Sequence, residues 1–151
     1  MPQSKLSTLV YHSRATQLLA EVDLLYLLAA ARSRNQSEGL TGLLVYDEGH
    51  FFQWLEGAAL PLQRVWAAIR HDPRHEDIEV LADSEIPLRL FRDWHMQFVH
   101  RGGKAARHIE GLIEAPEDIL SALHQDPRRF PEILAEFSTL GAGPYARDFG
   151  V

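Results

Sequence analysis

Hydrophobic and polar positions fall into short alternating runs separated by two stretches of helical period. Leu6–His12, L-S-T-L-V-Y-H, is rich in strand formers and runs into a polar S-R-A-T segment, so it predicts a first strand. Side chains alternate along a strand, which puts Leu9 and Tyr11 on one face and Thr8 and Val10 on the other. From about Leu18 to Arg34 the period becomes helical, and Leu24, Leu28, Ala31 and Asn35 form one stripe. Gly39–Tyr46 predicts a second strand. Asp47-Glu48-Gly49 is a tight turn into a third, His50–Glu56, which Gly57 ends. Pro61 suits the first turn of a helix over Leu62–Arg70, where Val65, Ala68, Ile69 and Asp72 share a face and Pro73 stops the element. Glu79–Ala82, preceded by Ile78, predicts a fourth strand. His95–His100 predicts a fifth, with Trp94, Met96 and Phe98 on one face.

That order is β-α-β-β-α-β plus one strand. It predicts an α+β, ferredoxin-like fold with two helices on one sheet face. After Arg101 the character changes, and Ala115–Leu123 and Phe130–Phe137 predict two short helices before a poorly ordered tail. The expected organisation is a compact domain over residues 1–101 and a helical extension over 102–151.

Within this pattern a few polar residues occupy inward positions. Gln53 lies in the middle of H-F-F-Q-W-L-E-G. Burying an amide without partners costs roughly 1–3 kcal/mol, so Gln53 must be hydrogen-bonded. A satisfied core glutamine meets that need, and Asn35 reads equally as a helix-terminating asparagine. The layout also allows more. Strands one and three are neighbours in a ferredoxin-like sheet, which brings Tyr11 within reach of Gln53. Leu24, Leu28 and Ile69 would line an apolar slot above them, with Asn35 and Asp72 at the helix ends. A flat ring with an amide-like edge suits such a slot, and Asn35 can pair with that edge in bidentate fashion.

Composition narrows the alternatives. The 151 residues carry 15 basic and 21 acidic side chains, a net charge of −6, with no basic run, which disfavours nucleic acid as a partner. There is no cysteine, so disulfides, thiolate metal sites and a cysteine nucleophile are excluded. Leu24–Ala31 is the longest apolar run and is too short to span a bilayer. The N-terminus lacks the apolar segment of a signal peptide, and a cytoplasmic protein with no membrane partner is expected. Eight histidines are scattered, and His71 and His75 straddle Pro73, so no metal site is expected. Neither G-x-S-x-G, G-x-G-x-x-G nor a P-loop occurs. Arg14 and Asn35, without a phosphate loop, give only weak support to an acylphosphatase-like enzyme.

Five blocks taken together carry a family resemblance: L-V-Y-H-S, R-N-Q-S-E-G-L-T-G-L-L, F-F-Q-W-L-E-G, I-R-H-D-P-R-H and W-H-M-Q, from about Leu6 to Arg101. In order and spacing they resemble a BLUF domain, a blue-light sensor that uses flavin. The resemblance implies non-covalent FAD, with FMN or riboflavin as substitutes. It implies that Tyr11 is the photoactive tyrosine, Gln53 the switching glutamine and Asn35 the asparagine on the flavin pyrimidine edge. Asp72 and His75 match the flavin-contacting region near the second helix. Trp94 and Met96 match the tryptophan and methionine whose exchange of position is debated in the family. Two positions depart from the family pattern: Arg34 stands where some members have a second asparagine, and Ala68 where some have an arginine near the cofactor. The resemblance further implies a sensor that is not an enzyme, and that signals through strand five and the C-terminal helices to a downstream protein or a second copy. Phe130, Leu134 and Phe137 are candidate interface residues, the alternative being that they simply cap the sheet. The rival expectation is a colourless ferredoxin-like module that binds a small ligand or acts as a dimeric scaffold.

Overall fold

The computed structural model describes residues 5–92, 97–100, 112–114 and 117–139. Its centre is a sheet of strands β1 (Leu6–Ala15), β2 (Thr41–Asp47), β3 (His50–Ala58), β4 (His75–Ile86), β5 (Gln97–His100) and β6 (Leu112–Glu114). Helix α1 (Glu21–Glu38) joins β1 to β2, and α2 (Ala59–Arg70) joins β3 to β4. Helices α3 (Glu117–Gln125) and α4 (Phe130–Thr139) follow, linked by a short 3-10 turn at Pro127–Arg129. The sheet order is β4-β1-β3-β2-β5-β6. β1 runs antiparallel to β3 and β4, and β2 antiparallel to β3, while β5 pairs parallel with both β2 and β6. The first four strands and two helices are the expected ferredoxin-like unit. Trp94 and Met96 lie outside the described residues.

The boundaries move where charge hides a strand. β1 runs on through Ser13, Arg14 and Ala15, because Arg14 lies opposite Glu76 in β4 and pairs with Asp77 at 3.0 Å. Those acidic partners also occupy the arginine that suggested an anion site. β4 covers His75–Ile86 rather than Glu79–Ala82. It is an edge strand with polar side chains along most of its length, so alternation shows in only a short part of it. β6, three residues long, carries no periodic signal at all.

Two glycines are needed for close approach or handedness. Gly39 closes α1 in the left-handed region at φ 69°. At Gly42 an added Cβ would stand 2.0 Å from the Trp54 carbonyl oxygen, so β2 meets β3 there only without a side chain.

The sheet is covered on both faces. On one, Leu9, Tyr11, Leu44, Phe51 and Leu55 pack against Leu24, Leu28 and Ala31 of α1 and Leu62, Val65 and Ile69 of α2. On the other, Val10, Leu43, Val45 and Phe52 meet Leu120 and Leu123 of α3 and Phe130, Ile133 and Leu134 of α4. The Phe52 and Phe130 ring centroids are 5.3 Å apart. Phe130 and Leu134, expected at an external interface, are therefore buried: the outer sheet face is apolar and takes up the stripe of α4 itself. The side chain of Phe137 lies outside the described residues. At the rim of this cap, His124 Nε2 donates to Asp47 Oδ2 at 2.6 Å and Arg128 donates to the Glu79 carboxylate at 3.1 and 3.3 Å.

One carboxyl group fastens the chain that leads toward β5. Glu56 of β3 is fully buried. Its Oε1 accepts from Thr41 Oγ1 at 3.0 Å and the Phe91 backbone N–H at 2.6 Å. Its Oε2 accepts from the Leu90 backbone N–H at 2.8 Å and from Trp54 Nε1 at 3.3 Å. The segment after β4 thus hangs from β3.

Candidate functional site

A cleft opens between the C-terminal ends of α1 and α2 and the sheet face beneath them. Its floor is Tyr11 of β1, Phe51 and Gln53 of β3 and Leu44 of β2. Leu27, Ala30, Ala31 and Arg34 of α1 form one wall; Ile69, Asp72, Arg74 and His75 form the other. It encloses about 510 Å³ of space free of atoms, part of it open to solvent.

The floor is built by register. Tyr11 pairs with Gln53, and Gln53 pairs with Leu44 on its other side, so three neighbouring strands each present one of these side chains to the same face. The Tyr11 hydroxyl donates to Gln53 Oε1, and both residues are almost wholly buried. Burial pushes the Tyr11 phenol well above its ordinary value; the charge of Arg34 opposes that rise and Asp72 adds to it. Tyr11 therefore keeps its proton and remains the donor. Its ring packs on Trp66, with centroids 5.1 Å apart, and meets His75 edge-on at 5.9 Å.

The α2–β4 wall is braced from behind. His75 Nε2 faces the Ile69 carbonyl at 2.7 Å, which can only accept, so this nitrogen donates. In the neutral ring Nδ1 then accepts from the Ser13 hydroxyl at 2.7 Å. Asp72 is gripped by Arg74, whose Nε donates to Oδ1 and Oδ2 at 3.0 and 2.9 Å and whose Nη2 donates to Oδ2 at 2.5 Å. Those hydrogen bonds hold the Asp72 carboxyl below its usual range, against the opposing effect of its partial burial.

Of the residues expected from sequence, Tyr11, Gln53, Ile69, Asp72 and His75 come together around the cleft. Leu24, Leu28 and Asn35 are buried on the inward stripe of α1, and the cleft wall itself is the adjacent stripe, Leu27, Ala31 and Arg34. The spacing of 27, 31 and 34 carries the same helical period and was legible. Phe51 shares a strand face with Gln53, and Leu44 follows once the hairpin register is known. Arg74 has no periodic signal; only its place after Pro73 puts it there.

The donor set suits a planar heteroaromatic ring: a phenol, a side-chain amide, apolar walls, and a cation. Arg34 Nε is buried at the wall and has no acceptor among the described residues. The family profile described as "BLUF: Sensors of blue-light using FAD" matches residues 6–97. The chain belongs to the BLUF family. Known members extend the likeness. It is 36% identical over 104 residues to the photoactivated adenylate cyclase subunit beta of Euglena gracilis, covering 64% of this chain and 12% of that protein. It is 31% identical over 121 residues to the blue light- and temperature-regulated antirepressor BluF of Escherichia coli (strain K12), covering 78% of this chain and 27% of that protein. The chain thus spans well under a third of the length of these relatives. Among solved structures, the dark state of BlrB, a BLUF protein, superposes with a TM-score of 0.71 at 30% identity, over 90% of this chain and 94% of that one. Blue-light sensing with a flavin is the property of this family, and the BLUF fold accounts for the sheet and the two helices above it. No helix among the described residues is long and apolar enough to cross a membrane.

Proposed function

We propose that this BLUF protein is a blue-light receptor that holds FAD non-covalently in the cleft, FMN or riboflavin being able to take the same place. Tyr11 and Gln53 are the residues that respond to light. The observation that carries this reading is their contact: a buried phenol donating to a buried amide on the floor of the cleft. Leu24, Leu28 and Ile69 support the apolar walls, Asn35 offers its amide to the pyrimidine edge, and Asp72 and His75 flank the open side.

The flavin supplies, when it absorbs blue light, a strong one-electron oxidant beside Tyr11. Tyr11 would give up one electron to that oxidant and pass its phenolic proton along its hydrogen bond to Gln53. The return of the electron and proton restores the tyrosine. Gln53 is left rotated or tautomerised, because its two-ended amide satisfies the same partners in more than one arrangement. No covalent bond to the chain forms, so the change reverses in the dark. The new amide arrangement alters what Trp94 and Met96 meet on the approach to β5, and β5 hands the change to the segment bearing α3 and α4. Residues 1–101 are then the sensor and 102–151 the output, acting in the cytoplasm on a downstream protein or a second copy of the chain. The output is a change of contacts, and the protein is not itself an enzyme. Such a switch requires two packings only a few kcal/mol apart.

The test is direct. Purified protein supplied with FAD should be yellow, and blue light should move the flavin band slightly to the red, with recovery in the dark. Tyr11→Phe and Gln53→Ala should bind flavin and lose the reversible shift. Protein that stays colourless would favour the rival ligand-binding or scaffold module, and a shift retained in either variant would refute its assigned role.

A further inference from the structure

The cleft holds one more positive charge than its own carboxylate balances. Its charged side chains are Arg34 on one wall and Asp72 and Arg74 on the other. Asp72 and Arg74 are bound to one another through several hydrogen bonds and cancel. Arg34 remains. Its Nε is buried without an acceptor among the described residues. Burial, first, lowers its pKa; Tyr11 and Asp72 oppose that and Arg74 adds to it. An arginine nevertheless keeps its proton in proteins.

The charge also lies near the photochemical end of the cleft. Tyr11 and Arg34 both line the cleft, and Tyr11 donates to Gln53. A cation there faces whatever ring occupies the floor. It stabilises negative charge on that ring, and stabilises it more strongly inside a partly desolvated cleft than in water. Arg34 directly precedes Asn35 on α1.

We propose that Arg34 is the positioning residue against which the bound flavin becomes negatively charged, and that it sets how readily this protein's flavin is reduced. The inference rests on the flavin reading of the cleft. It deepens that reading by assigning to α1 a control of the cofactor's redox balance that is separate from the Tyr11–Gln53 exchange.

The experiment measures the dark midpoint potential of the flavin-loaded protein, titrated with dithionite against a reference dye, for wild type, Arg34→Gln and Arg34→Lys. Losing the cation should weaken binding of reduced relative to oxidised flavin about tenfold, a fall of about 30 mV for the two-electron couple. Arg34→Lys should stay near wild type. An unchanged potential in Arg34→Gln, or an equal fall in Arg34→Lys, overturns the proposal while leaving the photoreceptor reading intact. Wild type that takes up no flavin overturns both. A flavin-free arm guards against a variant that loads poorly. The buried Nε of Arg34, without an acceptor among the described residues, is a burden on the empty protein, so apo Arg34→Met should denature at a higher urea concentration than apo wild type. A lower midpoint would mean that Arg34 serves the fold and would refute the role proposed for it.

Discussion

Replacing Glu56 with glutamine removes almost no volume and isolates the clamp that suspends the post-β4 segment from β3. Four donors converge on the two carboxyl oxygens: Thr41 Oγ1 and Phe91 N–H on one, Leu90 N–H and Trp54 Nε1 on the other. A glutamine amide offers a single acceptor oxygen. Whichever way it lies, its own N–H groups face one backbone N–H, either that of Phe91 or that of Leu90. The Thr41 hydroxyl can turn to accept, but a backbone N–H cannot. A buried donor stripped of its acceptor costs roughly 1–3 kcal/mol, and facing N–H groups add repulsion, so Glu56→Gln should cost about 2–4 kcal/mol. Urea denaturation read by far-UV circular dichroism gives the number as a fall in midpoint at unchanged slope. Glu56 and Gln53 project from opposite faces of β3, so the folded variant should keep the light-driven band shift. A loss below about 0.5 kcal/mol, within the range of ordinary surface substitutions, would refute the clamp. A fold retained without the band shift would refute the separation of clamp from cleft.

Two further outcomes follow from the packing. Gly42→Ala should prevent native pairing of β2 with β3, since its methyl would lie 2.0 Å from the Trp54 carbonyl oxygen; a soluble variant with the wild-type near-UV spectrum would refute the close approach. His12, pressed to about 4 from an ordinary 6.5 chiefly by burial and next by His50, binds its proton in the unfolded chain before it does so in the folded one. Its contribution is therefore constant above about pH 6.5 and stability falls as pH drops from there toward 4. Urea midpoints across that window should slope downward into acid and flatten in His12→Gln, and equal slopes in the two proteins would refute the assignment.

The β-α-β-β-α-β core was legible because most of its elements kept their period and glycine or proline marked several of the boundaries, Gly39, Gly49, Gly57 and Pro73 among them. Tyr11 and Gln53 were legible for the same reason: two polar residues each interrupted an apolar strand face, and the fold class made them neighbours. What escaped is what periodicity does not encode. Arg34 lies in helical phase with Leu27 and Ala31, but that period does not tell which stripe of α1 faces a cleft. Glu56 reads as an outward acid on a strand, yet its donors include the first residue of β2 and a segment more than thirty residues on. The hydrogen bond of His124 to Asp47 spans 77 residues and depends on how α3 docks. α3 and α4 were visible as helices, but which surface took their apolar stripes was not, since an apolar outer sheet face and an external partner offer the same chemistry.

With both sides of the sheet occupied, the chain carries a parity rule. In β1 the odd position Tyr11 belongs to the cleft and its even neighbours Val10 and His12 to the side of α3 and α4; in β3, Gln53 and Phe52 divide the same way. A one-residue insertion or deletion in either strand would exchange the two memberships wholesale. Tyrosine would meet the helical cap, and valine or histidine the cleft. Grafts of this sensor onto other chains, and circular permutations of it, must therefore change β1 and β3 only by even numbers of residues, whereas the loops beyond the strand ends carry no such parity.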